Sequence, residues 1–391
     1  RFNKSSEIKL QLRPVTQGRI NWTAGGPASD YLAASLEQNT GSDNSVTRTF
    51  HCLDDFRRYA RRRMPRITFD LVDGAAGNET SNHLNCDGLE RVRLMPRVLV
   101  DISERTLGKP FLGHSWNLPF GIAPMGMCNL AWPGTDKALA AAAVHYGMPV
   151  CLSTFGSSTI EETRERAGDN AWFQLYVGPS VEGALELVAR AEKAGYQHLV
   201  LTVDVPVVSA RIRERRHGLE VPFRMQPRNF VDFALHPSWV FQTLIEGVPK
   251  PANVMLPDTG KAKTTFTRNE LRGHIDWDFL DRLRDQWQGK LILKGVMSPA
   301  DAVRIRDAGA DAVYVSNHGG RQLDAAPPAI DLLPTIRDAV GSEYPLIFDS
   351  GVRSGEGVVY SSLIIAAVPT LLIFLFCQNI IMRGIVVPVE K

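Results

Sequence analysis

The chain has 391 residues, enough for one large α/β domain or two smaller ones, and either buries a sizeable core. Its 44 Lys and Arg balance 42 Asp and Glu, so a net charge of +2 gives no global pull toward nucleic acid or acidic lipid, and a small molecule is the expected partner. Five cysteines, odd in number and without a C-x-x-C pair, indicate neither a disulfide framework nor a zinc site; they read as reduced intracellular thiols, with no metal expected.

Residues 1–46 are polar, rich in Ser, Asn, Thr and Gly, and lack periodicity, which predicts a poorly structured extension. No positively charged start leads into an apolar run, so a secretory signal is not expected. A helical pattern, "CLDDFRRYARRRMP", then ends at Pro65 and places Arg57, Arg58, Arg61, Arg62 and Arg63 on a solvated face. Between 119 and 350, apolar runs alternate with amphipathic stretches of helical length. The runs are "LPFGIAP" (118–124), "MPVCLST" (148–154), "AWFQLYV" (171–177), "HLVLTVD" (198–204), "KLILKGV" (290–296), "DAVYVSN" (311–317) and "YPLIFDSG" (344–351). Stretches between them, such as "SVEGALELVARAEKAG", carry apolar residues at i, i+3 and i+4 and close on Gly. That alternation predicts parallel strands with helical crossovers.

An open doubly wound sheet and a closed barrel both fit this rhythm, and the polar residues choose between them. They end nearly every run: Ser153, Gln174 with Tyr176, Thr202 with Asp204, Lys294, Asn317 with His318, and Asp349. A barrel gathers those ends round one pocket, and no G-x-G-x-x-G follows the first run, so the expected fold is an α/β (β/α)8 TIM barrel. Residues 210–275 form a long insertion containing Arg211, Arg213, Arg215 and Arg216, then "NFVDFALHPSWVFQTLIEGVPKP". Helices packed on the barrel rim are expected there, with membrane contact by its aromatics as the alternative.

In "SNHGGRQLD", His318 and Arg321 lie three positions apart after a strand-like run. A neutral imidazole accepts a proton near pH 7 and a guanidinium forks onto a carboxylate, which suits a 2-hydroxy or 2-amino acid. Asp204, two strands earlier, is placed to stabilise the imidazolium. Taken singly, each also has a structural reading, as a capping His, a surface Arg or an Asp closing a helix. Lys294 ends the apolar "LILKGV", where an inward ammonium needs an anion or an electron-rich ring; a Schiff-base lysine of an aldolase-type barrel competes with that reading. The glycine-rich "DSGVRSGEG" offers backbone N–H groups and Arg353, a phosphate-type site of the kind that follows the seventh strand of barrels.

From about Thr47 to Gly357 the chain resembles the FMN-dependent α-hydroxy-acid dehydrogenases and oxidases, the family of glycolate oxidase, L-lactate dehydrogenase and mandelate dehydrogenase. "SNHGGRQLD" is highly specific for it, and "GIAPMGM", "WFQLYV", "LTVDVP", "LKGV" and "FDSGVRSG" fall in the family's order. The resemblance implies oxidation of a small L-2-hydroxy acid to the 2-oxo acid, with electrons leaving FMN for a quinone, a cytochrome or oxygen. It implies that His318 is the catalytic base, paired with Asp204, and that Lys294 stands near N1 and O2 of the flavin. Tyr176, Arg211 and Arg321 would bind substrate. Ala123, Pro124, Ser153, Gln174, Thr202 and Lys294 would hold the flavin ring, Asp349 the ribityl chain, and Gly351 and Arg353 the phosphate. A homo-oligomer in the cytoplasm, or at the cytoplasmic face of the inner membrane, is expected.

Leu71 and Phe155 stand where the family has a carboxylate-touching tyrosine and a tryptophan, which leaves substrate choice open. Leu372 and Ile373 replace the Gly-Arg pair of the family's eighth strand, and Pro369 would break such a strand. From Gly357 to Met382 no side chain is charged, a stretch long enough to span a bilayer. This tail, 358–391, resembles the last transmembrane helix and cytoplasmic end of an ABC-type sugar-transporter permease. The expectation is therefore a barrel over 47–357 without a normal eighth strand, followed by an apolar helix. A truncated or chimeric barrel without flavin or activity is the second reading.

Overall fold

Three helices lead into the sheet: α1 (Leu53–Arg63), α2 (Arg66–Asp73) and α3 (Thr80–Arg91). Pro65 separates the first two, because its ring cannot continue α1 yet suits the residue before α2. A computed structural model describes residues 53–96, 98–101, 106–218, 226–254, 273 and 275–351. The expected extension (1–46), Arg353 and the expected apolar helix of 358–391 lie outside them. An antiparallel hairpin follows α3, β1 (Lys109–Phe111) and β2 (His114–Trp116), turned by Leu112 and Gly113 at φ 49° and 86°. Positive φ at both central residues matches the twist of a two-residue hairpin. Strands this short left no apolar run to read in the sequence.

The alternation then begins with β3 (Ile122–Met125), α4 (Cys128–Ala131), α5 (Thr135–Tyr146), β4 (Val150–Ser153), α6 (Ile160–Ala167), β5 (Ala171–Leu175), α7 (Val181–Lys193) and β6 (His198–Thr202). The insertion after β6 contributes α8 (Ile212–Arg216), α9 (Pro227–Ala234) and α10 (Pro237–Glu246). The series closes with α11 (Trp277–Gln286), β7 (Lys290–Val296), α12 (Pro299–Asp307), β8 (Ala312–Val315), α13 (Ala329–Val340) and β9 (Leu346–Phe348). Side-chain caps start four of the crossover helices: Thr159 with Glu162 in a capping box, then Ser180, Asp276 and Ser298. The insertion helices sit on the rim as expected, with the Trp239 indole N–H donating to the Ala131 carbonyl at 3.1 Å.

All seven expected runs are strands of one parallel sheet in sequence order, β3 to β9, curled with helices outside. Among the described residues β3 and β9 are its two ends. Alternate residues face opposite sides. Phe173, Leu175, Leu199, Leu201, Leu291, Leu293, Val313 and Val315 join the core cluster that includes the helices, while Cys151, Trp172, Val200, Ile292, Ala312 and Tyr314 fill the inner side. Leu112 and Trp116 of the hairpin complete that inner cluster. With both faces covered, the strands read as near-continuous apolar runs. Cys86, Cys128 and Cys151 are buried free thiols.

His198 lies in this interior, 1% exposed and stacked on Trp172 at 4.6 Å between ring centroids. Its Nε2–H donates to the Leu112 carbonyl, 2.9 Å away, which leaves Nδ1 without a partner. Burial pushes the imidazole down to about 4 from 6.5. The folded chain thus keeps His198 neutral where the unfolded chain would already take up a proton. This contribution to stability is complete above pH 6.5 and is lost as the pH falls toward 4. Unfolding measured at pH 7 and pH 4 should show wild type losing about 3 kcal/mol more than His198→Phe. An equal loss in both proteins would show that this ring does not titrate as described.

Candidate active site

The inner side of the sheet is built in tiers, because each step of two along a strand returns to the same face. Above Cys151, Trp172, Val200, Ile292, Tyr314 and Ile347 come Ser153, Gln174, Thr202, Lys294, Ser316 and Asp349. Register holds this second tier level, with Ser153 beside Gln174 and Thr202 beside Lys294. Two residues further along, β5, β6 and β8 lead to Tyr176, Asp204 and His318. The apolar lower tier is thus followed by a polar one and then by titratable groups.

His318 receives Asp204 on one side and Tyr176 on the other. Asp204 Oδ1 and Oδ2 stand 3.0 and 3.2 Å from Nδ1, and the Tyr176 hydroxyl stands 3.3 Å from Nε2. A carboxylate on Nδ1 fixes the tautomer with its proton there and leaves the Nε2 lone pair available. His318 has a φ of 59°, a left-handed conformation that a non-glycine residue adopts only when its surroundings hold it. Its N–H donates to Ser316 Oγ, and the Gly319 N–H donates to Ser350 Oγ. Asn317 anchors the same turn through a reciprocal amide pair with Asn85, 2.8 Å in each direction. Gly295 is required beside this group, since a Cβ there would fall on the Asp204 side chain.

Lys294 is 4% exposed, donates to Ser316 Oγ at 2.8 Å and pairs with Asp349. Its ammonium lies 4.2 Å from the Tyr314 ring centroid. Burial would push the Asp349 carboxyl up, but the Lys294 charge, with hydrogen bonds from Lys294, Ser316 and Ser350, holds it below the usual carboxylate range. On the same tier, Gln174 Nε2 and Thr202 Oγ1 are buried without a hydrogen-bond partner. Buried polar groups are nearly always satisfied, so these two, beside a buried ammonium, fit a bound ring with a polar edge. Ala123 and Pro124 lie on β3, and Gly351 follows β9 at a φ of 78°.

Arg321 lies beyond His318 and donates to the carbonyls of Leu71 (2.6 Å), Val72 (2.9 Å) and Gly74. Arg211 donates to Glu214 Oε1 at 2.8 Å, and the same oxygen is 3.9 Å from Arg321 Nη2. The structure therefore gathers His318, Asp204 and Tyr176, gathers Lys294 with Asp349, and brings Arg211 and Arg321 toward one carboxylate. Sequence reasoning passed over Ser316, Ser350 and Glu214. Ser316 was detectable, two residues beyond the inward Tyr314. Glu214 was hidden in the charged run "RIRERR".

The chain matches the family described as FMN-dependent dehydrogenase over residues 60–363. It belongs to that family. An L-lactate dehydrogenase of Caulobacter vibrioides is 39% identical over 310 residues, 78% of this chain and 81% of that one. The (S)-mandelate dehydrogenase of Pseudomonas putida is 35% identical over 309 residues, 78% of each chain. A crystal structure of (S)-mandelate dehydrogenase, a monotopic membrane protein, superposes with a TM-score of 0.77 at 31% identity, covering 85% of this chain and 94% of that one. The family, the barrel fold, FMN as cofactor and 2-hydroxy-acid oxidoreductase activity at family level are as the sequence predicted. The comparisons give the permease-like reading of 358–391 no support. No helix among the described residues is long and apolar enough to cross a membrane.

Proposed function

We propose that this family member oxidises a small L-2-hydroxy acid of the lactate, glycolate or mandelate type to its 2-oxo acid. The observation that carries the reading is His318, with Asp204 on Nδ1 and Nε2 turned toward the Tyr176 hydroxyl. In this reading Nε2 takes the proton released by the substrate, from Cα or from the hydroxyl. Asp204 stabilises the imidazolium so formed. Tyr176 contacts the substrate hydroxyl, and Arg321 and Arg211 hold the carboxylate. Ser153, Gln174, Thr202, Lys294, Asp349 and the backbone of Ala123, Pro124 and Gly351 hold FMN, with Arg353 as a further phosphate contact outside the described residues. Bound FMN supplies the two-electron acceptor, from which a quinone, a cytochrome or oxygen takes the electrons. Steady-state turnover of L-lactate, glycolate and (S)-mandelate with an artificial electron acceptor tests the reading. A 2-oxo acid product supports it; FMN-loaded protein that turns over none of them overturns it.

A membrane-face location is part of the same proposal. Phe230, Val231 and Leu235 at α9 and Phe241, Leu244 and Ile245 on α10 are each more than half exposed. The exposed Arg61 and Arg62 belong to α1, and α2 joins α9 through the Arg66 N–H and Asp232. An apolar face near basic side chains suits anionic lipid headgroups. The purified protein should sediment with vesicles containing phosphatidylglycerol, and Phe241→Asp with Leu244→Asp should weaken that binding at least about tenfold, given the transfer energy of two large side chains. Undiminished binding by the double variant would exclude this face.

A further inference from the structure

Ser316 lies directly after β8 and Ser350 two residues after β9, and their hydroxyls stand between the His318 turn and the Lys294–Asp349 pair. Ser350 is buried, and its Oγ accepts the N–H of Asn317 at 3.2 Å and that of Gly319 at 3.1 Å, the two residues that flank His318. The same hydroxyl donates to Asp349 Oδ1 at 2.9 Å. Ser316 Oγ repeats the arrangement: it accepts the His318 N–H at 3.0 Å and the Lys294 ammonium at 2.8 Å, and it donates to Asp349. Three successive N–H groups of the turn, those of Asn317, His318 and Gly319, therefore hang from one carboxylate through two hydroxyls.

Ser350 has a φ of 81°, a left-handed conformation that glycine adopts without strain and serine does not. The loop has no room to withdraw from the turn, because a Cβ on Gly351 would fall on the backbone of Asn85 in α3. A side chain kept at a strained φ in so confined a place points to its hydroxyl as the reason for it. We infer that Ser350 is a positioning residue for the proposed base: it grips the N–H groups on both sides of His318 and ties them to Asp349, which sets the height of the imidazole above the cofactor tier. Asp204 fixes the rotation of the ring from the side, but the backbone that carries the ring is held by the serines. A displacement of about 1 Å at a reacting group costs on the order of a hundredfold in rate. The inference rests on the reading of His318 as base and goes beyond it, since Ser350 meets neither the substrate nor the reacting atoms.

Ser350→Ala removes the hydroxyl and keeps the Cβ, whereas Ser350→Gly removes the hydroxyl and relieves the left-handed φ. Both are to be compared with wild type in anaerobic flavin reduction by L-lactate, glycolate or (S)-mandelate, in melting temperature, and in FMN affinity titrated on the apoprotein. The positioning role predicts reduction slowed about tenfold or more in both variants, with FMN affinity near wild type. Ser350→Gly should melt at or above Ser350→Ala and be no faster, so that rate and stability part company. The decisive variant combines Ser350→Ala with His318→Gln. A residue that acts through His318 should slow that background by less than about threefold further. A hydroxyl with only a structural role would exert its full factor there, or would lower FMN affinity and rate together, and either result overturns the inference. Reduction of Ser350→Gly at the wild-type rate overturns it as well. If Ser350→Ala fails to fold, Ser350→Gly carries the same measurements, alone and with His318→Gln. FMN-loaded wild type that no 2-hydroxy acid reduces would overturn the reading of His318 itself, and this inference with it.

Discussion

His318→Gln is expected to lower kcat about 10³-fold, within the usual contribution of a positioned general base, while FMN stays bound. The amide can still donate to Asp204, so the contact that now engages Nδ1 has a replacement. It cannot accept a proton at the position that Nε2 occupies beside the Tyr176 hydroxyl, and the proposed proton transfer stops there. The turn should survive, because Ser316, Ser350 and Asn317 hold its backbone and none of those contacts involves the imidazole. FMN content and melting temperature near wild type, with turnover reduced a thousandfold, are the expected pair of readouts. Turnover within tenfold of wild type would remove His318 from the role of base.

Lys294→Met is expected to act on stability and cofactor retention together. The Asp349 carboxylate would lose its ammonium partner, and stranding one member of such a pair costs about 3 kcal/mol or more. Burial would then dominate and raise the Asp349 carboxyl above its unfolded value, so the deficit should shrink as acid protonates it. The full deficit should be present only above that raised folded value, and it should shrink as the pH falls from there toward the unfolded value near 3.8. Adding Asp349→Asn should restore most of the lost stability, since a neutral pair no longer strands a charge, yet FMN should still bind weakly without the cation. Thermal melts with and without added FMN separate the two effects. A single variant that keeps both wild-type stability and FMN would show that Lys294 is not the charge on which this tier depends.

Much of this site is legible in the sequence because a period of two governs every strand. Cys151, Trp172, Val200, Ile292 and Tyr314 mark the inward face, so Ser153, Gln174, Thr202, Lys294 and Ser316 must share it, and Tyr176, Asp204 and His318 continue the same columns beyond the strands. What escapes the sequence depends on contacts between distant segments. Arg321 meets Leu71 across 250 positions, and no local pattern announces that its fork is held by backbone carbonyls. Glu214 reads as one more charge on a solvated helix until Arg211 and Arg321 are seen to converge on it. The hairpin of β1 and β2 carries its apolar weight in Leu112 and Trp116, too few residues for a periodicity to emerge. The insertion helices α9 and α10 carry exposed Phe and Leu, where a soluble amphipathic pattern would put polar residues.

The most direct test is anaerobic mixing of the FMN-loaded protein with L-lactate, glycolate and (S)-mandelate while the visible flavin absorbance is followed. Bleaching by at least one of these acids, slowed about a thousandfold in His318→Gln, is the predicted result. An FMN-loaded wild type that none of them bleaches, or a His318→Gln variant that bleaches as fast as wild type, would contradict the assignment of the imidazole between Asp204 and Tyr176 as the group that starts the oxidation.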